Sequence, residues 1–396
     1  RFDEFSKFKI VNMKKVTAAA QKMLDDFGIS HIKASDSINK YGFEDRKLIE
    51  IVRCVSDDTQ VFVVDETTTA LSLEGRNILY KLIHKMKDEG KSVIFISHDM
   101  DEILEQCTDL TVLRDGEIIG HLNRAEMDAP DAVQRIRYMM VGREIGEAYY
   151  REDYDTSHLP EVALELQDIT FGPIEHFSLK LHKGEIIGFG GLSGCGMHEI
   201  GRAAFGLEKL ESGKVLRNGK EITNCYQAIN EGIGYISKNR DREALILEAA
   251  IGENIVLPSL PALSHATFIN PAAEKKMYKK EIDSFRIKCN NGKQWVNTLS
   301  GGNKQKVSFG KWTAKGSDVL IMDCPTRGVD IGVKQAMYAL IDEMKKQGKA
   351  ILLISEEMAE LIGMADRIIV MKDFKVSGEL ERSPELSETD MIEYVI

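Results

Sequence analysis

The chain has 396 residues, of which 43% are apolar and 29% charged, and its formal net charge is −11. These proportions are typical of a globular protein, the length predicts two or three domains, and the acidity disfavours nucleic acid or an anionic membrane as the main partner. No apolar run approaches about 20 residues and the start does not resemble a signal peptide, so we expect a cytosolic protein. The six cysteines are scattered without a CxxC pair, which indicates neither a disulfide framework nor a metal site.

Helices and strands alternate in the first part of the chain. Periodic apolar positions predict helices, short apolar runs predict buried strands, and an Asp-Gly pair between apolar residues predicts a hairpin. The predicted helices span 14–27, 48–55, 73–87 and 100–106, the strands 61–64 and 92–97, and the hairpin 110–120. This order favours an α/β fold with a parallel sheet.

The same sequence pattern recurs 258 residues later, without a gap from about residue 22 to residue 120. The matching pairs include Phe27 and Phe285, Asp65 and Asp323, Thr68 and Thr326, Tyr80 and Tyr338, Ser97 and Ser355, and Gly120 and Gly378. Chance does not hold one register over about a hundred residues, so the sequence indicates an internal duplication.

The second copy begins with a segment that the first copy lacks. Predicted strands at 162–170 and 186–189 lead into the glycine-rich run 190–196. A strand that enters a helix through such a run forms a turn whose backbone N–H groups bind phosphate. Its equivalent in the repeat would precede Arg1, so we expect the first unit to be incomplete and to lack a phosphate loop.

A second anion-binding pattern lies in the run Leu299–Lys306. Its residues Ser300, Gly301, Gly302 and Asn303 open a predicted helix, where free N–H groups and the helix dipole favour phosphate. The next apolar run, 319–322, ends in Asp323. A carboxylate at the end of a buried strand is a typical ligand of Mg²⁺ beside a nucleotide.

These motifs resemble those of ABC ATPases. Leu299–Lys306 is similar to the signature sequence of that family, and Met322–Asp330 is similar to its Walker B motif and D-loop. The motif sequences are most similar to those of sugar importers of the ribose, xylose and galactose type, whose ATPase is one polypeptide with two fused domains. The resemblance covers essentially the whole chain. It implies tandem P-loop NTPase domains of the α/β class, each with a mainly parallel sheet and a helical insert, at 1–143 (without its P-loop) and 161–396, joined by a linker at 144–160.

In ABC ATPases the two domains pair head to tail, and each ATP lies between the phosphate loop of one domain and the signature of the other. The resemblance implies that Asp65 holds Mg²⁺, that Glu66 polarises the attacking water, and that His98 contacts the γ-phosphate. By itself, Glu66 could be a solvated acid and His98 a surface or capping histidine. The 33-residue spacing from Asp65 to His98 recurs from Asp323 to Glu356, which favours the functional interpretation.

The second domain departs from the family pattern. Met197 and His198 follow its phosphate loop where the family has Lys or Arg and then Ser or Thr, while Cys324 replaces the catalytic base and Glu356 the switch histidine. The nucleotide-binding positions implied for this loop are Gly191, Ser193, Gly194, Gly196, Met197 and His198, with Asp323 as the metal ligand. The turn 41–45 lacks the signature residues that would complete the same site. We therefore expect one working site and one degenerate site.

The resemblance implies the ATP-binding and ATP-hydrolysing subunit of an ABC importer that energises monosaccharide uptake. It also implies ATP and Mg²⁺ as cofactors, transmembrane permease subunits as partners, a solute-binding protein that acts through the permease, and a peripheral position at the cytoplasmic face of the membrane. ATPases of nucleoside importers share many of these motif residues and are the first alternative function. A non-hydrolysing ABC-like fragment or paralogue is the second, because without the first P-loop this chain alone is expected to be inactive. ABC proteins that act on ribosomes or DNA are disfavoured by the acidity and the sugar-type signature.

Overall fold

The computed structural model of the chain describes residues 5–7, 10–55, 58–65, 67–97, 99–114, 116–141, 149–192, 194–265, 268–329 and 331–395. The chain divides into two compact units, residues 1–144 and 145–396. Both units combine helices with parallel strands, so the prediction of an α/β fold is confirmed. None of the helices within the described ranges combines the length and apolarity that a membrane span requires.

The first unit contains short strands and longer helices. Its strands are β1 (Ser6–Lys7), β2 (Ile10–Val11), β3 (Val61–Asp65), β4 (Ser92–Ile96), β5 (Asp109–Arg114) and β6 (Glu117–Asn123). Its α-helices are α1 (Met13–Asp26), α2 (Phe43–Cys54), α3 (Leu73–Asp88), α4 (Met100–Gln106), α5 (Arg124–Met127) and α6 (Ala132–Val141), with 3₁₀ turns at Ile38–Lys40 and Thr67–Ala70.

The predicted helices and strands of this unit are present at nearly the predicted bounds, and the predicted hairpin is the antiparallel pair β5–β6. The largest difference is α2, which begins at Phe43, five residues before the predicted start at residue 48. Gly42 precedes the helix in an extended conformation, and Glu44 and Asp45 lie in its first turn. Acidic residues stabilise that end of a helix dipole, so the charged pair extends the helix beyond its apolar positions.

Strands β3 and β4 pair in parallel, and the two faces of this pair differ. Phe62 and Val64 are buried in the core of the unit with residues of α2 and α3. The other face carries half-exposed aliphatic side chains, namely Val61, Val63, Ile94 and Ile96. Parallel sheets are normally covered on both faces, and this face is an apolar surface of the first unit.

The second unit contains two larger sheets and a helical segment. Its strands are β7 (Val162–Phe171), β8 (Ile174–His182), β9 (Ile186–Gly191), β10 (Ser212–Arg217), β11 (Lys220–Glu221), β12 (Ile233–Ile236), β13 (Ser264–His265), β14 (Phe268–Ile269), β15 (Val319–Asp323), β16 (Ala350–Ile354), β17 (Arg367–Lys372) and β18 (Lys375–Glu381). Its α-helices are α7 (Met197–Ala204), α8 (Cys225–Asn230), α9 (Ile251–Val256), α10 (Leu260–Leu263), α11 (Pro271–Ser284), α12 (Gly301–Lys315), α13 (Ile331–Lys346), α14 (Met358–Met364) and α15 (Glu388–Val395), and Arg240–Ala244 forms a π-helical turn.

The central sheet of the second unit has the strand order β12-β15-β16-β9-β17-β18. All neighbours are parallel except β17 and β18. Every residue of β15 and β16 is buried, which explains their continuous apolar sequences. Since β9, β15 and β16 are parallel neighbours in this sheet, the segments that follow them meet at one edge, which is where open α/β sheets bind ligands.

The remaining parts of the second unit surround this sheet. An antiparallel sheet has the order β11-β10-β7-β8, and α9, α11 and α12 pack together around a separate apolar cluster that includes Ile251, Val296 and Val307. Residues 149–160, which we expected to form a linker, lie within the second unit. There Arg151 is buried and its Nη1 donates to Asp366 Oδ1 at 2.7 Å.

Candidate functional site

The phosphate loop connects β9 to α7, and glycine is required where it leaves the sheet. Gly191 has φ +152°, and a β-carbon there would collide with the carbonyl oxygen of Met371 in the neighbouring strand. Gly194 and Gly196 also have positive φ values, of +83° and +107°. L-residues rarely adopt these angles, so the glycines give the loop its path and allow a ligand to approach the backbone.

The first residue of α7 contributes no charge to this loop. Met197 is completely buried in the core of the unit. The lysine of an ordinary phosphate loop would reach the β- and γ-phosphates from this position. Any phosphate at this loop would therefore be bound by backbone N–H groups and the N-terminus of α7.

His198, the second residue of α7, is bonded to the residue that ends β15. Its Nδ1 lies 2.7 Å from Asp323 Oδ1, and the Tyr235 hydroxyl donates to Asp323 Oδ2 at 3.0 Å. Asp323 is buried, and His198 is only partly exposed. Both carboxylate oxygens of Asp323 are thus engaged by side chains of the second unit.

Two further charged groups complete this cluster. Lys238 Nζ lies 2.6 Å from Glu356 Oε1 and 3.2 Å from His198 Nε2, and His198 Nε2 lies 3.5 Å from Glu356 Oε1. Burial lowers the pKa of His198, but the hydrogen bonds to Asp323 and Glu356 outweigh it and raise the pKa to about 9. The hydrogen bond from His198, aided by Lys238, lowers the pKa of Glu356 to about 2. The charge of Glu356 is therefore compensated by two cations of its own unit.

This arrangement does not fit Mg²⁺. The ion needs near-octahedral oxygen coordination, commonly from a carboxylate, a hydroxyl and phosphates. The carboxylate of Asp323 is hydrogen-bonded to His198 and Tyr235. His198 itself stands at the position where a usual phosphate loop has the Ser or Thr whose hydroxyl binds Mg²⁺. The first-unit equivalent, Asp65, ends β3 with an exposed side chain.

Cys324 follows Asp323 and is buried, with an unusual backbone φ of +46°. Burial, together with the negative charges of Asp323 and Glu356, raises the pKa of its thiol well above the usual value. A protonated, buried thiol is a poor nucleophile and cannot accept a proton from water. Cys324 therefore does not replace the general base expected at this position.

The signature sequence opens α12. Ser300 is the exposed N-cap residue, and Asn303 Nδ2 donates to Ser300 Oγ at 3.0 Å. Asn303 Oδ1 accepts from the backbone N–H of Lys288 at 2.8 Å. The serine hydroxyl is thus oriented by a residue of the same motif at a helix N-terminus, which is suited to an anion.

Arg240 connects the signature helix to the segment after β15. Its Nη1 donates to the carbonyl oxygen of Arg327 at 3.1 Å, and its Nη2 to that of Gly328 at 3.3 Å. A β-carbon at Gly301 would lie 2.9 Å from Arg240 Nη2. A side chain at position 301 would therefore displace the guanidinium of Arg240, and its β-carbon would also lie 3.1 Å from the carbonyl oxygen of Gly328.

Positions 302 and 44 are equivalent in the repeat, and so are positions 333 and 75 that they face. In the second unit the small residue Gly302 faces Val333, whereas in the first unit the larger Glu44 faces Gly75. A β-carbon at Gly302 would lie 3.1 Å from Val333 Cγ2, whereas Glu44 lies against Gly75, whose β-carbon would be 2.8 Å from Glu44 Oε1. Glu44 also accepts hydrogen bonds from the backbone N–H and hydroxyl of Ser72. Glu44 thus joins the start of α2 to the start of α3.

The sequence-predicted site residues lie in both units. In the first, Asp65 is described, whereas Glu66 and His98 lie outside the described residues; in the second, Ser193 does too. The second unit brings His198, Asp323 and Glu356 together.

Sequence reasoning missed a pair of equivalent buried carboxylates, Glu102 in the first unit and Glu360 in the second. Glu102 accepts from Thr68 at 2.8 Å and from Ser97 at 2.9 Å, and Glu360 accepts from Thr326 at 2.7 Å. Burial raises the pKa of Glu360. The identity of Glu102 and Glu360 in the 258-residue register was the signal that could have revealed them.

Sequence reasoning also missed Lys238 and Tyr235. The sequence assigned neither residue a role at this site, and both reach it because β12 is the parallel neighbour of β15. Only the sheet order brings them to Asp323 and Glu356, so a linear pattern could not have identified them.

Comparison with known proteins gives consistent results. Residues 174–327 match the sequence model of the family described as ABC transporter. The ribose import ATP-binding protein RbsA from a strain of Bacillus cereus is 35% identical over 390 residues, covering 98% of this chain and 77% of that protein. RbsA of Bacillus subtilis (strain 168) is 35% identical over 378 residues, covering 95% and 75%. Among solved structures, a nucleotide-free ATP-binding cassette from an ABC transporter has a TM-score of 0.49 at 19% identity, covering 59% of this chain and 95% of that one.

Proposed function

We propose that this chain is part of the subunit that binds and hydrolyses ATP to energise the import of a monosaccharide, because it belongs to the ABC transporter ATP-binding proteins of the monosaccharide-importer family. The observation that carries the proposal is the 35% identity over 98% of the chain to a protein named for ribose import. The glycine-rich loop after β9 and the signature at the start of α12 support ATP as the ligand.

The residues proposed for hydrolysis begin at the carboxyl end of β3. Asp65, exposed at that end, is the proposed ligand of Mg²⁺, which would neutralise phosphate charge. Glu66 is the proposed general base, and His98 the proposed donor to the γ-phosphate. In the signature, Ser300 and the N–H groups that follow it are proposed to bind phosphate oxygens.

The second phosphate loop is proposed to bind nucleotide without hydrolysing it. Its base position is the buried thiol of Cys324, and Asp323 is bonded to His198. The backbone of the loop still offers N–H donors, so an anion can bind where catalysis is not supported.

The proposed partners are transmembrane permease subunits, through which a solute-binding protein would deliver the sugar. The chain would then act at the cytoplasmic face of the membrane. Import of a pentose or hexose is favoured over import of a nucleoside by the names of the relatives.

Deletion of the gene and measurement of solute uptake would test this proposal. We expect deletion to abolish accumulation of at least one of radiolabelled ribose, xylose and galactose, and the intact gene to restore it. A gene encoding Glu66→Gln should fail to restore uptake, because a general base contributes about 10²–10⁴-fold to the rate. Glu74→Gln, an exposed change in α3, is the matched control and should restore it.

Other outcomes would identify the alternatives. Loss of uridine uptake with normal sugar uptake would indicate a nucleoside importer. Full restoration by Glu66→Gln would indicate an ABC-like protein whose role does not require hydrolysis, and would contradict the proposal.

A further inference from the structure

We propose that His198, Asp323 and Cys324 form a binding site for a transition-metal cation of the Zn²⁺ class. The ligand atoms that these three side chains offer all lie within 4.8 Å of one another. The inference concerns metal binding by the second unit and is independent of the transport function.

The distances require only small side-chain movements. Tetrahedral Zn²⁺ with bonds of about 2.0–2.3 Å places its ligand atoms about 3.3–3.8 Å apart. His198 Nδ1 and Asp323 Oδ1 are now 2.7 Å apart, so they would separate slightly as the cation enters between them. The Cys324 sulfur would approach by at most about 1.3 Å, from within 4.8 Å to about 3.5 Å of the other two ligand atoms.

The donor set favours a borderline or soft cation. It comprises an imidazole nitrogen, a carboxylate oxygen and a thiol, in place of the hydroxyl, carboxylate and phosphate oxygens of a Mg²⁺ site. Imidazole and thiolate suit Zn²⁺, whereas Mg²⁺ prefers hard oxygen ligands. A cation of this class also stabilises the thiolate that a buried position such as Cys324 otherwise disfavours. Binding displaces two protons, one from the Cys324 thiol and one from Nδ1 of the His198 imidazolium, and both pass to the buffer.

The surrounding groups hold the donors in suitable orientations. His198 Nδ1 faces Asp323, whereas Nε2 lies 3.5 Å from Glu356 Oε1. With a metal at Nδ1, Nε2–H faces Glu356 and Lys238 Nζ lies 3.2 Å from Nε2. A carboxylate beside the second nitrogen is the carboxylate–histidine–metal arrangement common in metalloproteins. Glu356 is held by Lys238, and Asp323 by the Tyr235 hydroxyl.

A second group in the same unit must be distinguished from this one. His158, His182 and Glu185 also offer ligand atoms within 4.8 Å of one another. Their two imidazole rings are stacked, with centroids 4.4 Å apart and planes 18° apart. In-plane lone pairs of stacked rings do not converge on one point, and Glu185 is already bonded to Arg367 at 2.7 Å. This group is less suitable, and it contains no sulfur.

The test uses Co²⁺ as a spectroscopic probe on the full chain after treatment with a chelator. We expect one equivalent of Co²⁺ to produce a sulfur-to-cobalt charge-transfer band in the near ultraviolet. Zn²⁺ should remove the band, and an excess of Mg²⁺ should not. Cys324→Ser should abolish the band, and His198→Gln should weaken Co²⁺ binding by about 100-fold or more, since even the loss of outer-shell partners costs 10–100-fold.

Two control variants separate this site from other donors. Cys225→Ser changes a partly buried cysteine outside the cluster, and His158→Gln changes the competing group. Both should retain the band and the affinity of the unmodified chain. Circular dichroism checks that each variant is folded, and His198→Gln, at a partly exposed position, remains informative if Cys324→Ser does not fold.

The proposal is overturned if Co²⁺ gives no sulfur band in the unmodified chain, if the band persists in folded Cys324→Ser, or if His158→Gln abolishes binding. Because no readout depends on ATP or sugar, failure here leaves the transport proposal untouched.

Discussion

The Nδ1 atom of His198 lies 2.7 Å from Oδ1 of Asp323, so the helix after the phosphate loop is bonded directly to the end of β15. In the ordinary form of this loop a hydroxyl residue at that position helps to bind Mg²⁺. Here a side chain that remains protonated at neutral pH contacts the carboxylate instead. The interaction links two elements that are distant in sequence and predicts a measurable contribution to stability.

Asp323→Asn should lower the free energy of unfolding by about 1–3 kcal/mol, because it removes a hydrogen bond between charged groups and leaves His198 without its carboxylate. Urea denaturation measures the change. The control is Asp283→Asn, an exposed carboxylate of α11, whose replacement should cost less than about 0.5 kcal/mol. Equal effects of the two changes would contradict the assigned role of Asp323.

Gly191→Ala and Gly219→Ala should differ in cost although both glycines have positive φ. At Gly219 nothing lies within 4 Å of the added carbon, so the cost is backbone strain of about 1–2 kcal/mol. At Gly191 the added carbon meets the Met371 carbonyl, and the loop must move. Thermal unfolding should show the larger loss for Gly191→Ala, and this variant alone should lose ATP binding at the second loop.

Much of the fold could be predicted because the sequence is duplicated. The 258-residue register aligns β3 with β15 and β4 with β16, and the apolar runs in both copies have the length of strands. The largest error in a helix boundary, at α2, arose because the first turn of that helix is charged rather than apolar. Local charge stabilises a helix end without contributing to apolar periodicity.

The arrangement of the second site could be predicted only in part. The motif register assigned His198 and Glu356 to one site, but it did not identify the groups that surround the Glu356 carboxylate. The structure shows that Lys238 and His198 compensate its charge. Lys238 follows β12, whose place beside β15 is determined by sheet order, and a sequence without its strand order does not contain that information.

Each unit contains an equivalent threonine–glutamate hydrogen bond, Thr68–Glu102 in the first and Thr326–Glu360 in the second. We therefore predict similar losses of stability when either threonine is replaced. Thr68→Val and Thr326→Val each remove a hydrogen bond to a buried carboxylate, at 2.8 Å and 2.7 Å. Each should lower the stability of its own unit by about 1–3 kcal/mol, measured by amide hydrogen exchange within that unit. Thr108→Val, at an exposed position, is the control and should cost less than about 0.5 kcal/mol. A negligible effect at both buried threonines would refute a structural role for the pair.

Lys311 predicts a dependence of stability on alkaline pH. This lysine of α12 is buried and donates to the carbonyl oxygen of Ala244. Burial lowers its pKa from 10.5 to about 8, so between these values the unfolded chain binds more protons than the folded chain. The free energy of unfolding therefore rises as the pH increases through this window, by up to about 3 kcal/mol, and the gain is absent below pH 8.

Lys311→Met isolates this effect from other groups that titrate at alkaline pH. Urea denaturation from pH 7 to pH 10.5 should show that the stability of the unmodified chain increases relative to that of the variant. Loss of the hydrogen bond to Ala244 shifts the free energy of unfolding of the variant by the same amount at every pH, so it does not alter the dependence on pH. Parallel curves would show that Lys311 keeps its ordinary pKa in the folded chain.

Both carboxylate oxygens of Asp323 are hydrogen-bonded, and we therefore predict that ATP binds the second phosphate loop without a requirement for Mg²⁺. Because His198 and Tyr235 occupy both carboxylate oxygens, adding Mg²⁺ should change the dissociation constant by less than about twofold, or about 0.4 kcal/mol. His198→Thr supplies a hydroxyl and frees Asp323 Oδ1, so this variant should bind ATP about 10-fold more tightly with Mg²⁺ than without it. Calorimetric titrations with Mg²⁺ and with a chelator measure both constants, and Gly191→Ala identifies binding at this loop. If Mg²⁺ strengthens binding to the unmodified chain by about 10-fold, the contacts of Asp323 do not exclude the ion.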